Sequence, residues 1–248
     1  MRLTDRVAIV TGAAAGFGEA IARFFVDEGA KVVVADLNGE GAEQVAASLG
    51  DSAAAIRADV SQGGDVQAMV DLALQRFGRL NILVNNAGTT HRNMPMLEVD
   101  EASFDRVFAV NVKSIYHGAQ AAVPVFRKQG GGVILNIAST AGIRPRPGLT
   151  WYNASKGAVI TMTKSMAVEL APDKIRVNAL CPVAGETALL KDFMGEDTPE
   201  KRAAFIATVP LGRLSRPDDI AKAALHLVSD EADFITGVAM EVDGGRCI

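Results

Sequence analysis

Cysteine is scarce in this 248-residue chain. The two present, Cys181 and Cys247, are far apart and match no metal-ligand spacing, so no metal site is read and two reduced thiols are expected. Charge of one sign is also missing. Lys and Arg number 25 against 29 Asp and Glu, and no basic run occurs, which removes the electrostatic case for nucleic acid. Long hydrophobic runs are absent too. No stretch approaches the roughly 20 apolar residues of a membrane span, and the first apolar run, in "MRLTDRVAIVTG", is interrupted at Asp5 and too short for a signal peptide. A cytoplasmic protein with no nucleic-acid or membrane partner is expected. No composition break marks a linker, and no internal repeat stands out.

What the chain does have is rhythm. Short runs rich in Val, Ile, Leu and Ala begin at 7, 31, 53, 81, 132, 175 and 238. Near-continuous apolar runs signal strands covered on both faces, as in a parallel sheet. Helical spacing fills the intervals. Ile21, Phe24 and Phe25 share one side of a helix that ends near Gly29, and Val66, Met69, Val70, Ala73 and Phe77 form a stripe. The segment from Ser103 to Gln129 reads as one long helix with an irregularity at Pro124. This alternation predicts an α/β, three-layer, doubly wound Rossmann fold. The least regular part, 183–212, reads as a lid or binding loop on that fold.

The first strand runs into "TGAAAGFG", with Gly12, Gly16 and Gly18. Glycines allow a tight turn and close backbone approach. Between a strand and a helix, such a loop offers N–H groups and the positive helix end to a phosphate. The second strand ends in Asp36, about 20 residues on, where a carboxylate accepts from a ribose 2′-hydroxyl and repels a 2′-phosphate. Leu37 follows instead of an arginine, and Ala15 offers no cation, so NAD is favoured over NADP. Asp59 and Val60 close the third strand, where an adenine fits. "NNAG", with Asn86, Ala87 and Gly88, closes the fourth, near the switch point of such sheets.

"WYNASK" places Tyr152 and Lys156 one helical turn apart on one face. Alone, that pair is equally an ordinary half-buried tyrosine beside a solvated lysine. With "TGAAAGFG", "NNAG", Asn111 in "VNVKS", Ser139 in "NIASTAG", "NALCP" followed by Thr187, and "EVDGG", the chain from about Leu3 onward resembles the classical short-chain dehydrogenase/reductases. The resemblance implies one extended domain over 1–248, a seven-stranded parallel sheet in order 3-2-1-4-5-6-7, a nicotinamide cofactor and a homotetramer. It implies Tyr152 as proton donor and acceptor, Lys156 as its helper, Ser139 as binder of the substrate oxygen and Asn111 in a proton relay, where a helix irregularity at Asn111 admits water. Phe17 in the glycine loop, and Val183 and Thr187 after the sixth strand, are implied cofactor contacts. The chain departs from the family at Pro182-Val183, where Pro-Gly is usual and the glycine comes only at Gly185.

The chemistry fits the residues. A free phenol titrates at about 10, and a cation close by favours phenolate. Lys156 and an oxidised nicotinamide are two such cations. The implied activity is NAD-dependent interconversion of a secondary alcohol and a ketone, with a small polyol, sugar or hydroxy-acid as substrate. A 3-oxoacyl-(acyl-carrier-protein/CoA) reductase is the alternative, and a catalytically silent NAD-sensing scaffold is an alternative of another class. Arg144 and Arg146, between Ser139 and Tyr152, are candidates to clamp an anionic substrate. His91 and Arg92 are placed to reach the same pocket mouth, and Trp151 either walls it or packs.

Overall fold

The computed structural model describes residues 1–187, 189–196 and 198–248. Seven parallel strands form one sheet in the order β3-β2-β1-β4-β5-β6-β7. They are β1 (Val7–Thr11), β2 (Lys31–Asp36), β3 (Ala53–Arg57), β4 (Ile82–Asn85), β5 (Gly132–Ile137), β6 (Ile175–Pro182) and β7 (Ala239–Val242). Each apolar run became a strand because helices cover both faces. The side-chain alternation is visible in β1: Ala8 and Val10 join one core with Ile21, Phe25 and Leu225, while Val7 and Ile9 join another with Met69, Phe126 and Leu170.

The first layer is built by α1 (Gly16–Asp27), α2 (Gly39–Leu49) and α9 (Pro217–Val228). The second is built by α3 (Gly63–Phe77), α5 (Ser114–Gln129) and α6 (Thr150–Leu170). Helices α3 and α5 stop at Gly78 and Gly130, both in the left-handed conformation that glycine adopts without strain. The short α7 (Leu190–Met194) and α8 (Pro199–Ile206) lie in the segment expected to be least regular. Thr198 caps α8, accepting from the Lys201 N–H, and Pro199 opens it.

The helix expected from Ser103 to Gln129 is broken, but not at Pro124. It comprises α4 (Glu101–Phe108), a π turn over Ala109–Lys113, and α5, which runs through Pro124. The π turn carries one residue more than an α-helical turn accommodates. Its buried member is Asn111. That side chain is bound on two sides: Oδ1 accepts from the Thr89 N–H at 2.8 Å, and Nδ2 donates to Thr89 O at 2.9 Å and Ser155 Oγ at 3.0 Å. The break falls where a polar side chain is claimed by the loop after β4 and by α6.

A second polar insert crosses the core. Asn85 Nδ2 donates to Asn136 Oδ1 at 2.8 Å, and Asn136 Nδ2 donates to Thr163 Oγ1 at 2.9 Å. It fixes α6, the helix carrying Tyr152 and Lys156, against β4 and β5. The strand order reverses between β1 and β4, so the carboxyl ends of these two strands part and leave a crevice.

Candidate active site

The glycine loop is held to β4 by a small set of bonds. Thr11 Oγ1 donates to Val84 O and accepts from the N–H groups of Asn86 and Ala87. Asn86 Nδ2 donates to the carbonyls of Thr11 and Gly12. Gly12 and Gly16 both have φ near +60°. Gly18 is required for another reason: a Cβ there would stand 2.1 Å from Gly12 O. Helix α1 then starts without any side-chain cap, because its first flanking residue is Ala15. Its leading N–H groups face the crevice with no protein side chain to satisfy them.

A cavity of about 490 Å³ occupies the crevice. Its lining takes in Gly12, Gly16, Phe17, Asp36, Leu37, Asp59 and Val60 on one side. Asn86, Ala87, Gly88, Ser139, Tyr152, Lys156, Val183 and Thr187 also line it. Gly18 and Asn111 stand behind the wall: one lets the loop close, and the other anchors Thr89. Strand β3 stops at Arg57, so Asp59 and Val60 lie just past its end instead of closing it. Both Asp36 oxygens are oriented by backbone, accepting from Ala14 N–H at 3.0 Å and Asn38 N–H at 2.8 Å.

The path after β6 is set by packing. Val183 is buried, and its carbonyl accepts from Ser215 Oγ at 3.2 Å. The displaced glycine has a steric cause. A Cβ on Gly185 would lie 2.4 Å from Cζ of Phe17 and 2.9 Å from Ser215 Oγ. Thr187 sits opposite the glycine loop, where a Cβ on Gly16 would come 3.3 Å from its methyl.

Tyr152 and Lys156 are both buried on α6. The ammonium lies 5.9 Å from the centre of the tyrosine ring and donates to Ile137 O at 2.8 Å. Burial dominates both groups. It pushes the Tyr152 phenol up to about 12, with the Ser139 hydroxyl and the Arg146 charge pulling back. It pushes the Lys156 ammonium down to about 8, with the Cys181 thiol opposing. In the folded chain by itself burial thus outweighs the lowering of the phenol expected from the Tyr152–Lys156 spacing, and the Arg146 charge adds to the side opposing burial. Ser139 Oγ accepts from the Ala141 N–H at 3.0 Å, and its own O–H is left to face the Tyr152 phenol at the cavity wall.

His91 and Arg92, placed at the pocket mouth by sequence, lie elsewhere, and Trp151 takes the packing role of its two readings. His91 is buried, with Nδ1 2.9 Å from Arg92 O, and Arg92 Nε donates to Gly195 O. Arg92 thereby braces the loop after β4 against the chain beyond α7. Trp151 packs edge-on against Phe104 and donates from Nε1 to Met96 O. Arg144 and Arg146 do line the cavity, and Phe193, Phe205 and Arg246 join them. Those last three were missed. Phe193 and Phe205 lie in short helices of a segment read as loop. Arg246 follows the "DGG" turn, with no periodicity to say where its side chain goes.

The family model described as enoyl-(acyl carrier protein) reductase matches residues 12–246. The chain is 54% identical to 4-formylbenzenesulfonate dehydrogenase of Comamonas testosteroni, the alignment covering 100% of both chains. It is 38% identical to the 3-oxoacyl-[acyl-carrier-protein] reductase of Thermotoga maritima, again over 100% of both. A crystal structure of 3-ketoacyl-(acyl-carrier-protein) reductase from Brucella melitensis, complexed with NADH, superposes with a TM-score of 0.94 at 50% identity, covering 99% of this chain and 100% of that one. The sheet order, the glycine loop against β4, the buried tyrosine and lysine one turn apart, and these likenesses lead to one conclusion: the chain belongs to the short-chain dehydrogenase/reductase family of oxidoreductases.

Proposed function

We propose that this protein is an NAD(H)-dependent oxidoreductase that interconverts a secondary alcohol and a ketone, with Tyr152 as general acid and base. One observation carries the reading: Tyr152, Lys156 and Ser139 line the same cavity as the uncapped start of α1 and the carboxylate of Asp36. These residues fit a dinucleotide. The α1 N–H groups suit a pyrophosphate. Asp36, fixed by two backbone donors, suits a ribose diol and opposes a 2′-phosphate, and the exposed Leu37 beside it offers no compensating cation. When bound, the nicotinamide supplies the hydride acceptor and donor.

The chain supplies the proton chemistry. Ser139, beside the phenol, turns its O–H to the substrate oxygen and holds it there. In oxidation the phenolate of Tyr152 takes the hydroxyl proton; in reduction the neutral phenol returns it. Lys156 has two N–H donors beyond the one given to Ile137 O, and these serve the ribose hydroxyls and the proton path. Asn111 Oδ1 and Lys156 Nζ converge at Gly88, where a Cβ would stand 3.4 Å from each. That convergence supports Asn111 as the next station of the relay.

The segment 183–212 serves as the substrate loop, contributing Val183, Thr187, Phe193 and Phe205 to the cavity. No helix among the described residues is long and apolar enough to cross a membrane. A cytoplasmic homotetramer is the assembly proposed, consistent with the exposed apolar residues Val168, Phe234 and Ile248. The likenesses to carrier-protein reductases support a second reading, reduction of a 3-oxoacyl thioester. The silent-scaffold reading has no such support, since Tyr152, Lys156 and Ser139 are all retained.

The test is nicotinamide absorbance with both coenzymes against a panel of secondary alcohols and ketones, with acetoacetyl-CoA as one member. Turnover with NAD(H) that is lost in Tyr152→Phe supports the proposal. Preference for acetoacetyl-CoA with NADPH transfers it to the second reading, and no turnover of any member overturns both.

A further inference from the structure

The substrate side of the cavity is built around positive charge. Phe193 meets Tyr152 edge-on, with ring centres 5.0 Å apart. Phe205 carries the Arg146 guanidinium on its face, 4.5 Å from the ring centre. Arg146 is half-buried, and its backbone is tied to the residue after the tyrosine: Asn153 Nδ2 donates to Arg146 O at 2.8 Å. Arg246 lines the same cavity. Its backbone is held by Arg144, whose guanidinium donates to Arg246 O at 2.5 Å, and the turn preceding it is pinned by Asp243.

The two guanidiniums repel one another. Desolvation and then the charge of Arg246 lower the pKa of Arg146. Among the described residues, no carboxylate is paired with either. One Arg246 guanidinium nitrogen, Nη1, is buried with no hydrogen-bond partner. A buried charged donor left unmatched is costly, so a ligand oxygen that completes it here recovers that cost. A smaller adjoining cavity of about 340 Å³ shares Arg146, Phe193, Phe205 and Arg246 with the first and adds Lys201. The approach is thus lined by cations and aromatic rings.

We infer that Arg146 and Arg246 form an anion-binding subsite beside Tyr152, so that the substrate is a compact, flat alcohol or carbonyl compound bearing a sulfonate or carboxylate. The anion accepts from the unmatched Arg246 donor and from Arg146, Phe193 and Phe205 flank the body, and the oxygen to be oxidised reaches Tyr152 and Ser139. Guanidinium suits both head groups because its paired N–H donors match two oxygens at once. This deepens the alcohol–ketone reading and rests on it.

The probes are methyl phenyl carbinol and its para-sulfonate and para-carboxylate, with the full chain and NAD. Either anionic carbinol is expected to exceed the neutral one in kcat/KM by about tenfold or more, and that ratio collapses in Arg246→Gln and Arg146→Gln. Arg146→Lys and Arg246→Lys, which keep the charge, restore part of it, and thermal melting identifies any variant that fails to fold. Which anion ranks first distinguishes sulfonate from carboxylate substrates. An independent readout is calorimetric titration of para-toluenesulfonate, which cannot react, into wild type and both Gln variants. Binding that needs both arginines supports the subsite even if no carbinol turns over, a result that would sink the hydride-transfer reading alone. Equal use of neutral and anionic carbinols, with toluenesulfonate binding indifferent to both arginines, overturns the subsite and leaves that reading standing.

Discussion

Lys156 gives its hydrogen bond to the Ile137 carbonyl, while its ammonium lies 5.9 Å from the centre of the Tyr152 ring. The two side chains share one face of α6, yet the phenol is left at about 12. Activation at neutral pH therefore depends on charge added to what burial removed. The phenolate is the base for oxidation, so that rate rises with pH through the phenol pKa. Lys156→Met removes a cation and moves the rising limb of the kcat/KM profile to higher pH by about one unit. Tyr152→Phe lowers kcat by about a thousandfold while NADH binding, read by fluorescence, stays close to wild type. A limb that does not move in Lys156→Met removes the lysine from the activation argument.

The same burial makes Lys156 a pH-dependent liability for stability. Its folded pKa, about 8, lies below the ordinary 10.5, so between these values the unfolded chain binds more protons. Stability from this group therefore rises with pH across that window and is lowest below it, by about 3 kcal/mol. Urea denaturation of wild type and Lys156→Met should show the difference between them changing in this window. Parallel curves would refute it.

Asp36 is held at the cavity wall by two backbone donors. Asp36→Ala removes the negative charge facing the ribose. The ratio of kcat/KM for NAD over NADP should fall by about tenfold or more. An unchanged ratio would show that discrimination lies elsewhere.

Gly185 and the Phe17 ring compete for one space. Gly185→Ala forces the ring, the chain or Ser215 to move, at a cost of about 1–3 kcal/mol. Because Phe17 lines the cavity, dinucleotide affinity should fall as well. Adding Phe17→Ala to Gly185→Ala should recover part of the stability lost through the clash. Independent, additive losses would argue that the ring is not the obstacle.

Asn136 joins Asn85 to Thr163 across the core. Asn136→Leu leaves the Asn85 amide without its acceptor and Thr163 with only its bond to Val159 O, and should cost about 1–3 kcal/mol in chemical denaturation. A neutral substitution would show that the network is dispensable.

The strands were legible because burial on both faces leaves near-continuous apolar runs, as in "KVVVAD" and "IRVNALCP". The glycine loop was legible because close backbone contacts admit no other residue at Gly18. Helix spacing was legible for α3, where four of the five stripe residues are buried. What could not be read has a common cause in long-range side-chain placement. An irregularity was expected at Asn111 as well as at Pro124; that only the first breaks the helix depends on bonds to Thr89 and Ser155. Arg246 reaches the cavity from the far end of the chain, and local pattern carries no trace of that. His91 and Arg92 were drawn to the site by sequence proximity to "NNAG", but the chain beyond α7 claims Arg92, and His91 is buried with its ring against the Arg92 carbonyl.

The π turn at Ala109–Lys113 amounts to one residue in excess, accommodated without unwinding the helices on either side. Removing a single codon there would close the bulge into an unbroken α-helix, with the helices on either side kept in register and only the residues of the turn re-aimed. Asn111 would then swing off Thr89, and the loop from "NNAG" would lose its tether. In a natural population, changes of length at this point should therefore be far rarer than changes of side chain.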